Sequence, residues 1–248
     1  MIGRKRLIYN HPHDIAALIE VFALDVYGVK QIPRNAIVFD LGSGIGDFAV
    51  LAASRVCKGG KVISIEPNPE DFKLLSLNLA INNHTNVVAQ NVELSSRQFP
   101  SNLSFKGTSF ITDPKSLPAI LAAAGLTIDG ACRHPIVIKM DIEGAEVQAI
   151  QDLNSILSNV TLIAIEMHGT KKLIDEILIP KGFSFSRLRR VNYLSKSFVF
   201  LLKHPLSAIV IWRRFRRLPE FPGIRKLFSG IQVASSDDLV VGIYRRTS

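Results

Sequence analysis

Short apolar runs alternate with amphipathic stretches along most of this chain. The runs are rich in β-branched and aromatic residues, which is typical of buried strands, and the stretches repeat apolar residues every three or four positions, as helices do. The predicted strands are residues 36–41, 61–65, 86–92, 135–140, 161–167, 183–194 and 239–245. The predicted helices are residues 13–29, 47–56, 70–82, 117–124, 144–157 and 171–178.

The order of these elements predicts the fold. Strands that alternate with helices form a parallel, doubly wound α/β sheet, because each helix carries the chain back across the sheet. The last two strands lack a short helical connection, so we expect an antiparallel pair at the edge of the sheet. We therefore predict one Rossmann-like domain over residues 1–248, with a mostly parallel seven-stranded sheet, an antiparallel C-terminal edge strand and an insertion at about 195–236.

Composition agrees with a single folded domain. The chain has 248 residues, of which 47% are hydrophobic, enough to bury a sizeable core. Its two cysteines, Cys57 and Cys132, lie far apart and outside any Cys/His cluster, which argues against a disulfide framework or a zinc site. The first ten residues do not resemble a secretory signal. These observations predict a cytoplasmic protein.

The positive charge is concentrated in one segment. The net charge is +9, but residues 187–226 hold eleven of the 30 bases and one of the 21 acids, so the rest of the chain has 19 bases and 20 acids. An anionic partner would therefore contact this segment and not the whole protein.

The same segment combines basic with apolar residues. The apolar run 198–212 is interrupted by Lys203, His204 and Pro205, which argues against a membrane span, and arginines follow at 213–217. One interpretation is that residues 198–217 contact an anionic membrane surface peripherally. The alternatives are a helical lid or an oligomer contact packed on the sheet, with nucleic-acid binding the least favoured.

A glycine-rich loop follows the first predicted strand. Its glycines let a ligand approach the backbone, and the helix that follows offers free N–H groups. Glu66 ends the next strand, where a carboxylate can accept hydrogen bonds from two ribose hydroxyls. The expected cofactor-binding residues are Asp40, Gly42, Ser43, Gly44, Gly46, Glu66, Asn68 and Asn91.

The loop favours S-adenosylmethionine over a dinucleotide. The glycine spacing is GxGxG and not GxGxxG, and Asp40 and Asp47 flank the glycines. These carboxylates would repel a pyrophosphate, whereas the ammonium and sulfonium groups of S-adenosylmethionine would be attracted. A nicotinamide or flavin site, or a glycine turn without a ligand, remains an alternative at this point.

A second polar group follows the fourth predicted strand. Asp141 and Glu143 come directly after this strand, so they should share a crevice with Asp40 and Glu66 at the carboxyl ends of the strands. Lys139 is a candidate partner for a buried ion pair with one of these acids. Glu146 falls in the first turn of the next helix, where a carboxylate also suits the helix dipole without any functional role.

The fifth strand ends with Glu166 and His168. Residues two apart on a strand face the same way, so these two could form an acid–imidazole pair. We expect His168, or failing that Asp141, to take the proton from a hydroxyl acceptor. The catalytic prediction is thus Asp141, Glu143 and His168, without a metal, although Asp141, Glu143 and Glu166 could instead gather oxygens around Mg²⁺. A loop histidine without a catalytic role is the structural alternative.

These motifs resemble those of the FkbM-type methyltransferases. The resemblance rests on four phrases in order: VFDLGSGIGDFAVLAA, ISIEPNPEDFKLLSLNLAINN, IVIKMDIEGAEVQAI and LIAIEMHG. It implies a class I methyltransferase fold, S-adenosylmethionine as donor, and O-methylation of a hydroxyl on a sugar, polyketide, lipid-linked or other small metabolite. It also implies cofactor binding by Asp40, Gly42, Gly44 and Glu66, with Asp141 and Glu143 at the reaction site.

Three other functions stay open from the sequence. An RNA methyltransferase could use the basic segment as an electrostatic arm, although we see no N-P-P-Y-type loop after the fourth strand. A non-catalytic, membrane-associated binding protein could keep the same fold, and a dehydrogenase could use the same glycine loop. Oligomerisation is compatible with all of them.

Overall fold

A seven-stranded sheet forms the centre of the computed structural model, which describes residues 5–10, 14, 17–18, 20–57, 59–94, 114–187 and 239–247. The strands of this sheet are β1 Ile37–Leu41, β2 Lys61–Ile65, β3 Val87–Gln90, β6 Ile136–Met140, β7 Val160–His168, β8 Phe183–Arg187 and β9 Leu239–Arg246. Two further strands, β4 Glu93–Leu94 and β5 Pro114–Lys115, pair with each other in a separate small sheet.

Helices follow most of the parallel strands. They are α1 Asp47–Arg55, α2 Pro69–Ile81, α3 Leu117–Ala123, α4 Ile128–Ala131, α5 Glu146–Asp152 and α6 Lys171–Leu178. Shorter turns are a π-helical turn at Glu20–Leu24 and 3₁₀ turns at Val29–Gln31, Asn154–Asn159 and Ile179–Lys181. The helices in the described part of the chain are too short or too polar to span a bilayer.

The strand order places a crevice in the middle of the sheet. It is β3-β2-β1-β6-β7-β9-β8, and β9 runs antiparallel to both of its neighbours. The chain leaves β1 toward β2 and returns later to β6 on the other side of β1. Ligands of such sheets bind where the order reverses, at the carboxyl ends of the strands. Here the register pairs Asp40 with Lys139 and Leu41 with Met140, so the glycine loop lies beside the residues that follow β6.

Both faces of the sheet are buried. Ile37, Phe39 and Leu41 point toward the layer of α3, α5 and α6, while Val38 points toward α1 and the N-terminal segment. Alternate residues of a strand face opposite sides, so Asp40 faces the same side as Val38. Lys139 of the neighbouring strand lies opposite Asp40 in the register and faces the same side. The packing of this layer thus determines what surrounds the side chains of Asp40 and Lys139.

The predicted fold class is confirmed. The sheet has seven strands, is mostly parallel and ends in the expected antiparallel pair. Within this pair β8 is the outermost strand, and the C-terminal strand β9 lies between it and β7.

The predicted helix over residues 13–29 was wrong in its second half. Helical structure ends at Leu24, and a turn at residues 26–27 leads into the 3₁₀ turn Val29–Gln31. Asp25 has a φ of 53°, which is incompatible with a right-handed helix, and its Oδ1 accepts a hydrogen bond of 2.6 Å from the Val29 amide. The apolar periodicity continued past this point because Val26 and Tyr27 are buried as turn residues.

Several sequence predictions lie outside the described residues. These are the insertion at about 195–236 with its membrane contact at 198–217 and the end of the strand predicted over 183–194.

The N-terminal segment is held against α2 by asparagine side chains. Asn78 is fully buried, accepts a hydrogen bond of 2.6 Å from the Ile8 amide, and donates to the carbonyl of Ile8 at 2.9 Å and to that of Ile45 at 2.8 Å. One turn later, Asn82 exchanges hydrogen bonds with the backbone of Arg6 at the surface. Asn78 therefore joins the N-terminal segment, α2 and the glycine loop.

We expect Asn78→Ala to destabilise the protein by about 2–3 kcal/mol, because a buried hydrogen bond to the Ile45 carbonyl and two part-buried ones to the Ile8 backbone would be lost. Urea unfolding measures this effect. Asn82→Ala serves as the control and should cost less than about 1 kcal/mol, since water can replace its exposed contacts. Equal effects of the two substitutions would contradict the role assigned to Asn78.

Candidate cofactor and acceptor site

The glycine loop is packed tightly against the segment that follows β6. Gly42 has a φ of 72°, and a Cβ atom at this position would lie 1.9 Å from the carbonyl oxygen of Asp141. The amides of Gly42 and Ser43 both donate to the carbonyl of Ile65 at 3.0 Å. The loop is therefore wedged between the ends of β2 and β6, and a glycine at position 42 is what allows the close approach.

Glu66 closes the other side of this loop. Its Oε2 accepts a hydrogen bond of 2.7 Å from the Gly44 amide, and its Oε1 accepts one of 2.8 Å from the Asn68 amide. Burial raises the pKa of Glu66, and these two hydrogen bonds offset part of the rise. Each carboxylate oxygen can accept more than one hydrogen bond, so Glu66 can still bind a ribose.

Three of the predicted cofactor residues make contacts that support the loop. Ser43 donates its hydroxyl proton to the Asp40 carbonyl at 2.9 Å. Asn68 caps α2 by accepting from the Glu70 amide at 2.8 Å, and Asn91 donates to the carbonyl of Glu66 at 2.8 Å. Ser43 therefore holds the backbone at Asp40, while Asn68 and Asn91 hold the backbone around Glu66. The contact of these three residues with a cofactor stays a prediction.

Asp40 and Lys139 form a buried ion pair, as the sequence suggested. The Nζ atom of Lys139 lies 3.4 Å from Oδ1 of Asp40 and 4.0 Å from Oδ2 of Asp141, and it also donates to the Gly42 carbonyl. Beyond this ion pair, the oxygens of Asp40 accept no hydrogen bond from the described residues. Burial raises the pKa of Asp40 and Lys139 partly offsets this. Burial opposes the charge of Lys139, but Asp40, Asp141 and Asp47 outweigh it and raise its pKa.

These features fit the cationic, ribose-bearing donor expected from the sequence. Asp40, Asp47 and Glu66 are buried carboxylates around the loop. Burial raises the pKa of Asp47 to about 6, with Lys139 opposing the rise. A Cβ atom at Gly44 would meet no atom within 4 Å, so the loop is open on that side. An acidic, open loop would attract a positive ligand and repel a pyrophosphate.

The structure brings the three predicted catalytic residues together. Asp141 follows β6, Glu143 lies in the next turn with a φ of 49°, and His168 ends β7. One side-chain oxygen or nitrogen of each lies within 4.8 Å of the others, which would allow them to hold a metal ion. The distance from His168 Nε2 to Glu143 Oε2 is 3.7 Å. The side chain of Glu143 is 88% exposed, so this cluster opens to solvent.

The predicted pairing of His168 with Glu166 was wrong. The imidazole Nδ1 lies 2.8 Å from Oε1 of Glu146, a fully buried residue in the first turn of α5. Glu146 also accepts from the Gly144 amide at 2.8 Å and from the Thr170 hydroxyl at 3.1 Å. Because Glu146 is an acceptor, Nδ1 carries the proton and Nε2 faces Glu143.

The charges around His168 favour its protonated form. Burial lowers the pKa of His168, but the hydrogen bond to Glu146 and the charges of Glu143, Glu146 and Glu166 outweigh burial and raise it. The site therefore stabilises positive charge at this position.

Tyr27 is a site residue that the sequence did not reveal. Its hydroxyl lies 3.2 Å from Oε2 of Glu166 and 3.4 Å from Oδ2 of Asp141, and its ring lies 5.3 Å from Nζ of Lys139. Burial, followed by the charges of Asp141 and Glu166, raises the pKa of Tyr27, so its hydroxyl stays a donor. Burial and the Asp141 charge raise the pKa of Glu166 to about 7. Tyr27 belongs to the segment wrongly predicted as a helix, and it carries no local motif.

The model of one known protein family matches more than half of this chain. The family model described as methyltransferase FkbM domain matches residues 40–191, which is more than half of the chain. The match begins at Asp40 and includes Glu66, Asp141, Glu143, Glu146 and His168.

Two curated relatives are methyltransferases. Hexuronic acid methyltransferase AglP of Haloferax volcanii is 25% identical over 147 residues, which cover 57% of this chain and 59% of that protein. Methyltransferase sdnD of Sordaria araneosa is 26% identical over 236 residues, which cover 76% of this chain and 90% of that protein. The match to the Haloferax relative therefore spans less than two thirds of its length.

Solved structures show the same fold. An N-methyltransferase of Haemonchus contortus, in complex with phosphomonomethylethanolamine and S-adenosylhomocysteine, superposes with a TM-score of 0.53 at 10% identity. The superposition covers 95% of this chain and 52% of that chain, and it supports the class I methyltransferase fold expected from the sequence. Because the family model covers more than half of its residues, this chain belongs to the FkbM methyltransferase family.

Proposed function

We propose that this chain is an S-adenosylmethionine-dependent methyltransferase that methylates a hydroxyl group of a small molecule. One observation carries the proposal: the glycine loop with Asp40 and Glu66 packs directly on Asp141, which belongs to the cluster with Glu143 and His168. A donor on the loop would thus lie next to residues that can act on an acceptor. Family membership supports methyl transfer as the reaction.

The residues of the loop have separate tasks in donor binding. Glu66 would accept hydrogen bonds from the ribose hydroxyls, and the open side of Gly44 would admit the donor to the backbone. Asp40 and Asp47 would balance its positive charge, since among the described residues Lys139 is the cation that offsets them. When bound, S-adenosylmethionine supplies a methyl group on a positively charged sulfur.

The cluster beyond the loop would act on the acceptor. With a bound donor, methyl transfer would join the acceptor oxygen to the methyl carbon and break the carbon–sulfur bond, whose electron pair would stay on sulfur. The hydroxyl proton must leave at the same end of the site. In the metal-free protein the neutral form of His168 is the group that we propose takes it, because Glu146 holds the Nδ1 proton and leaves an unprotonated Nε2 facing the cluster. Asp141 is the alternative base.

The charge of the site favours a hydroxyl over a free carboxylate as acceptor. Asp141, Glu143 and Glu166 together would repel an anion in the metal-free protein, and a carboxylate needs no base to become nucleophilic. The name of the Haloferax relative refers to a hexuronic acid, which offers both kinds of oxygen. A sugar hydroxyl is therefore the acceptor that we propose to test first.

Calorimetry tests the donor and mass spectrometry tests the reaction. We expect the full chain to bind S-adenosylmethionine and S-adenosylhomocysteine but not NAD. Incubation with neutral sugars and hexuronic acids should add a methyl group to a hydroxyl of at least one of them. Binding of NAD without binding of S-adenosylmethionine would overturn the proposal in favour of a dehydrogenase. Absence of binding to all three ligands would favour a non-catalytic protein.

Glu66→Ala should weaken S-adenosylmethionine binding by about 30-fold or more. The variant loses charge-assisted hydrogen bonds to the ribose, each contributing about 1.5–3 kcal/mol. Isothermal titration calorimetry measures the change, and circular dichroism checks the fold. Glu70→Ala is the matched control, since Glu70 is an exposed acid near Glu66 in the first turn of α2. If the two variants bind equally well, Glu66 does not hold the ribose.

A further inference from the structure

We propose that Asp141, Glu143 and His168 form a divalent-cation site that binds the acceptor through two neighbouring oxygens. Cation binding itself is independent of the proposed function, whereas the cation's part in methyl transfer rests on it. The catalytic site predicted from the sequence contained no metal, and the alternative Mg²⁺ group included Glu166 in place of His168. The geometry of the described residues instead selects the imidazole as the third ligand.

The spacing of the three side chains suits one cation. Bonds from a divalent cation to protein oxygen or nitrogen are about 2.0–2.6 Å long, so opposite ligands lie about 4–5 Å apart and adjacent ligands closer. The three candidate ligand atoms lie within 4.8 Å of one another, and His168 Nε2 is 3.7 Å from Glu143 Oε2. Small side-chain rotations are therefore enough to close the site.

The histidine is already oriented as a ligand. Metal-binding histidines usually donate the second ring N–H to a carboxylate or carbonyl, which sets the tautomer and the ring orientation. Here that acceptor is Glu146, which is fully buried and lies outside the ligand cluster. Glu146 is in turn held by the Gly144 amide and the Thr170 hydroxyl. This support is an observation independent of the ligand spacing.

The local charge calls for a cation. The nearest buried ammonium, that of Lys139, is paired with Asp40 and bonded to the Gly42 carbonyl. It approaches Oδ2 of Asp141, the same oxygen that Tyr27 contacts, and neither of these two contacts involves Oδ1. Among the described residues, the ion-pair partner of Glu143 and Glu146 is His168 itself, which balances them only in its protonated form. A divalent cation would supply the missing charge.

The donor set indicates the cation and the acceptor. Two carboxylates and one imidazole suit a cation such as Mn²⁺, which accepts both oxygen and nitrogen ligands. Three protein ligands leave coordination positions for water and substrate. An acceptor with two adjacent oxygens, such as a vicinal diol or a hydroxy acid, could fill two of them. A cation would also allow an anionic sugar acid to approach the acidic cluster.

The cation would change how the hydroxyl is activated. A bound cation lowers the pKa of a coordinated hydroxyl, and the proton can leave to solvent on the exposed side of Glu143. The alkoxide then bonds to the methyl carbon while the carbon–sulfur bond breaks and its electron pair stays on sulfur. In this state His168 serves as a ligand, and the cation replaces it as the group that assists deprotonation.

Titration of the full chain with MnCl₂, after EDTA treatment and dialysis, tests the proposal. Electron paramagnetic resonance and calorimetry measure Mn²⁺ binding in the absence of S-adenosylmethionine. We expect one Mn²⁺ site per chain. Asp141→Asn, Glu143→Gln and His168→Gln should each weaken binding at least tenfold, and Glu146→Gln should weaken it about 10- to 100-fold through the ring orientation. Glu70→Gln, an exposed acid outside the cluster, should bind Mn²⁺ as the wild type does.

Two further measurements, S-adenosylmethionine binding and transfer activity with EDTA, distinguish loss of the cation site from misfolding and from loss of the proposed function. Glu143 is exposed, so Glu143→Gln should fold normally, and S-adenosylmethionine binding by each variant confirms an intact donor site. Absence of a Mn²⁺ site, or Mn²⁺ binding that neither the three ligand variants nor Glu146→Gln weakens, overturns the cation proposal. Transfer activity that is insensitive to EDTA overturns the cation's part in the reaction and leaves the proposed function intact. Mn²⁺ binding without any S-adenosylmethionine binding overturns the proposed function and leaves the cation site intact.

Discussion

Replacing Gly42 by alanine is expected to destabilise the protein by about 3 kcal/mol or more, a large part of the 5–15 kcal/mol typical of folded domains. The new Cβ atom would lie 1.9 Å from the carbonyl oxygen of Asp141, so two backbone segments would have to separate. The left-handed φ of 72° adds a cost of about 1 kcal/mol for any residue other than glycine. Separation would also move the glycine loop away from the cluster of Asp141, Glu143 and His168.

Urea unfolding and S-adenosylmethionine calorimetry together check this prediction. Gly59→Ala is the first control, because Gly59 has a φ of 84° but a Cβ atom there would meet nothing within 4 Å. It should cost only about 1 kcal/mol. Gly44→Ala, also in open space, should keep the fold and weaken donor binding. Similar stability of the Gly42 and Gly59 variants would refute the steric argument.

Replacing Lys139 by methionine is the second change with a large expected effect. It leaves the fully buried carboxylate of Asp40 without its ion-pair partner, and such a loss costs about 3–5 kcal/mol. The Gly42 carbonyl would also lose a hydrogen-bond donor. We expect a lower free energy of unfolding and weaker donor binding, since both contacts lie at the glycine loop.

A double-mutant cycle isolates the ion pair. The variant with both Asp40→Asn and Lys139→Met should be more stable than Lys139→Met alone, because no uncompensated charge stays buried. Lys73→Met, on the exposed face of α2, controls for the change of residue type and should alter stability little. If the double variant is no more stable than Lys139→Met, the charge of Asp40 does not explain the loss.

Gly42 and Lys139 belong to the same packed region of the site. Gly42 contacts the backbone of Asp141, and Lys139 reaches both the Gly42 carbonyl and the carboxylates on either side of it. The glycine loop and the cluster of Asp141, Glu143 and His168 therefore cannot move independently without breaking buried contacts. This rigid connection would keep a methyl donor and an acceptor oxygen in register, which is a main source of catalysis in group transfer.

Some features followed from local pattern alone. Strands such as β1 were predictable because a short β-branched run that ends in glycines has few alternatives, and the alternation of strands and helices allows few topologies. The spacing of the glycines and the positions of Glu66 and Asp141 at strand ends then placed them at one edge of the sheet. These inferences depend on steric rules that act over a few residues.

The partners of the polar side chains required the folded structure. Glu166 and His168 share a face of β7, yet Glu166 bonds to Tyr27 and His168 to Glu146, because the N-terminal segment and α5 pack from different directions. Neither contact has a local signature, since the paired residues lie far apart in the chain.

The sequence by itself determined the fold class, the glycine loop and the identity of the polar residues at the strand ends, because backbone sterics and hydrophobic period are local properties. Only the tertiary structure decided that Tyr27 belongs to the site, that Glu146 orients His168, and that Asp141, Glu143 and His168 converge. These outcomes depend on how layers distant in sequence pack together, and packing selects among side-chain partners that the sequence leaves equivalent.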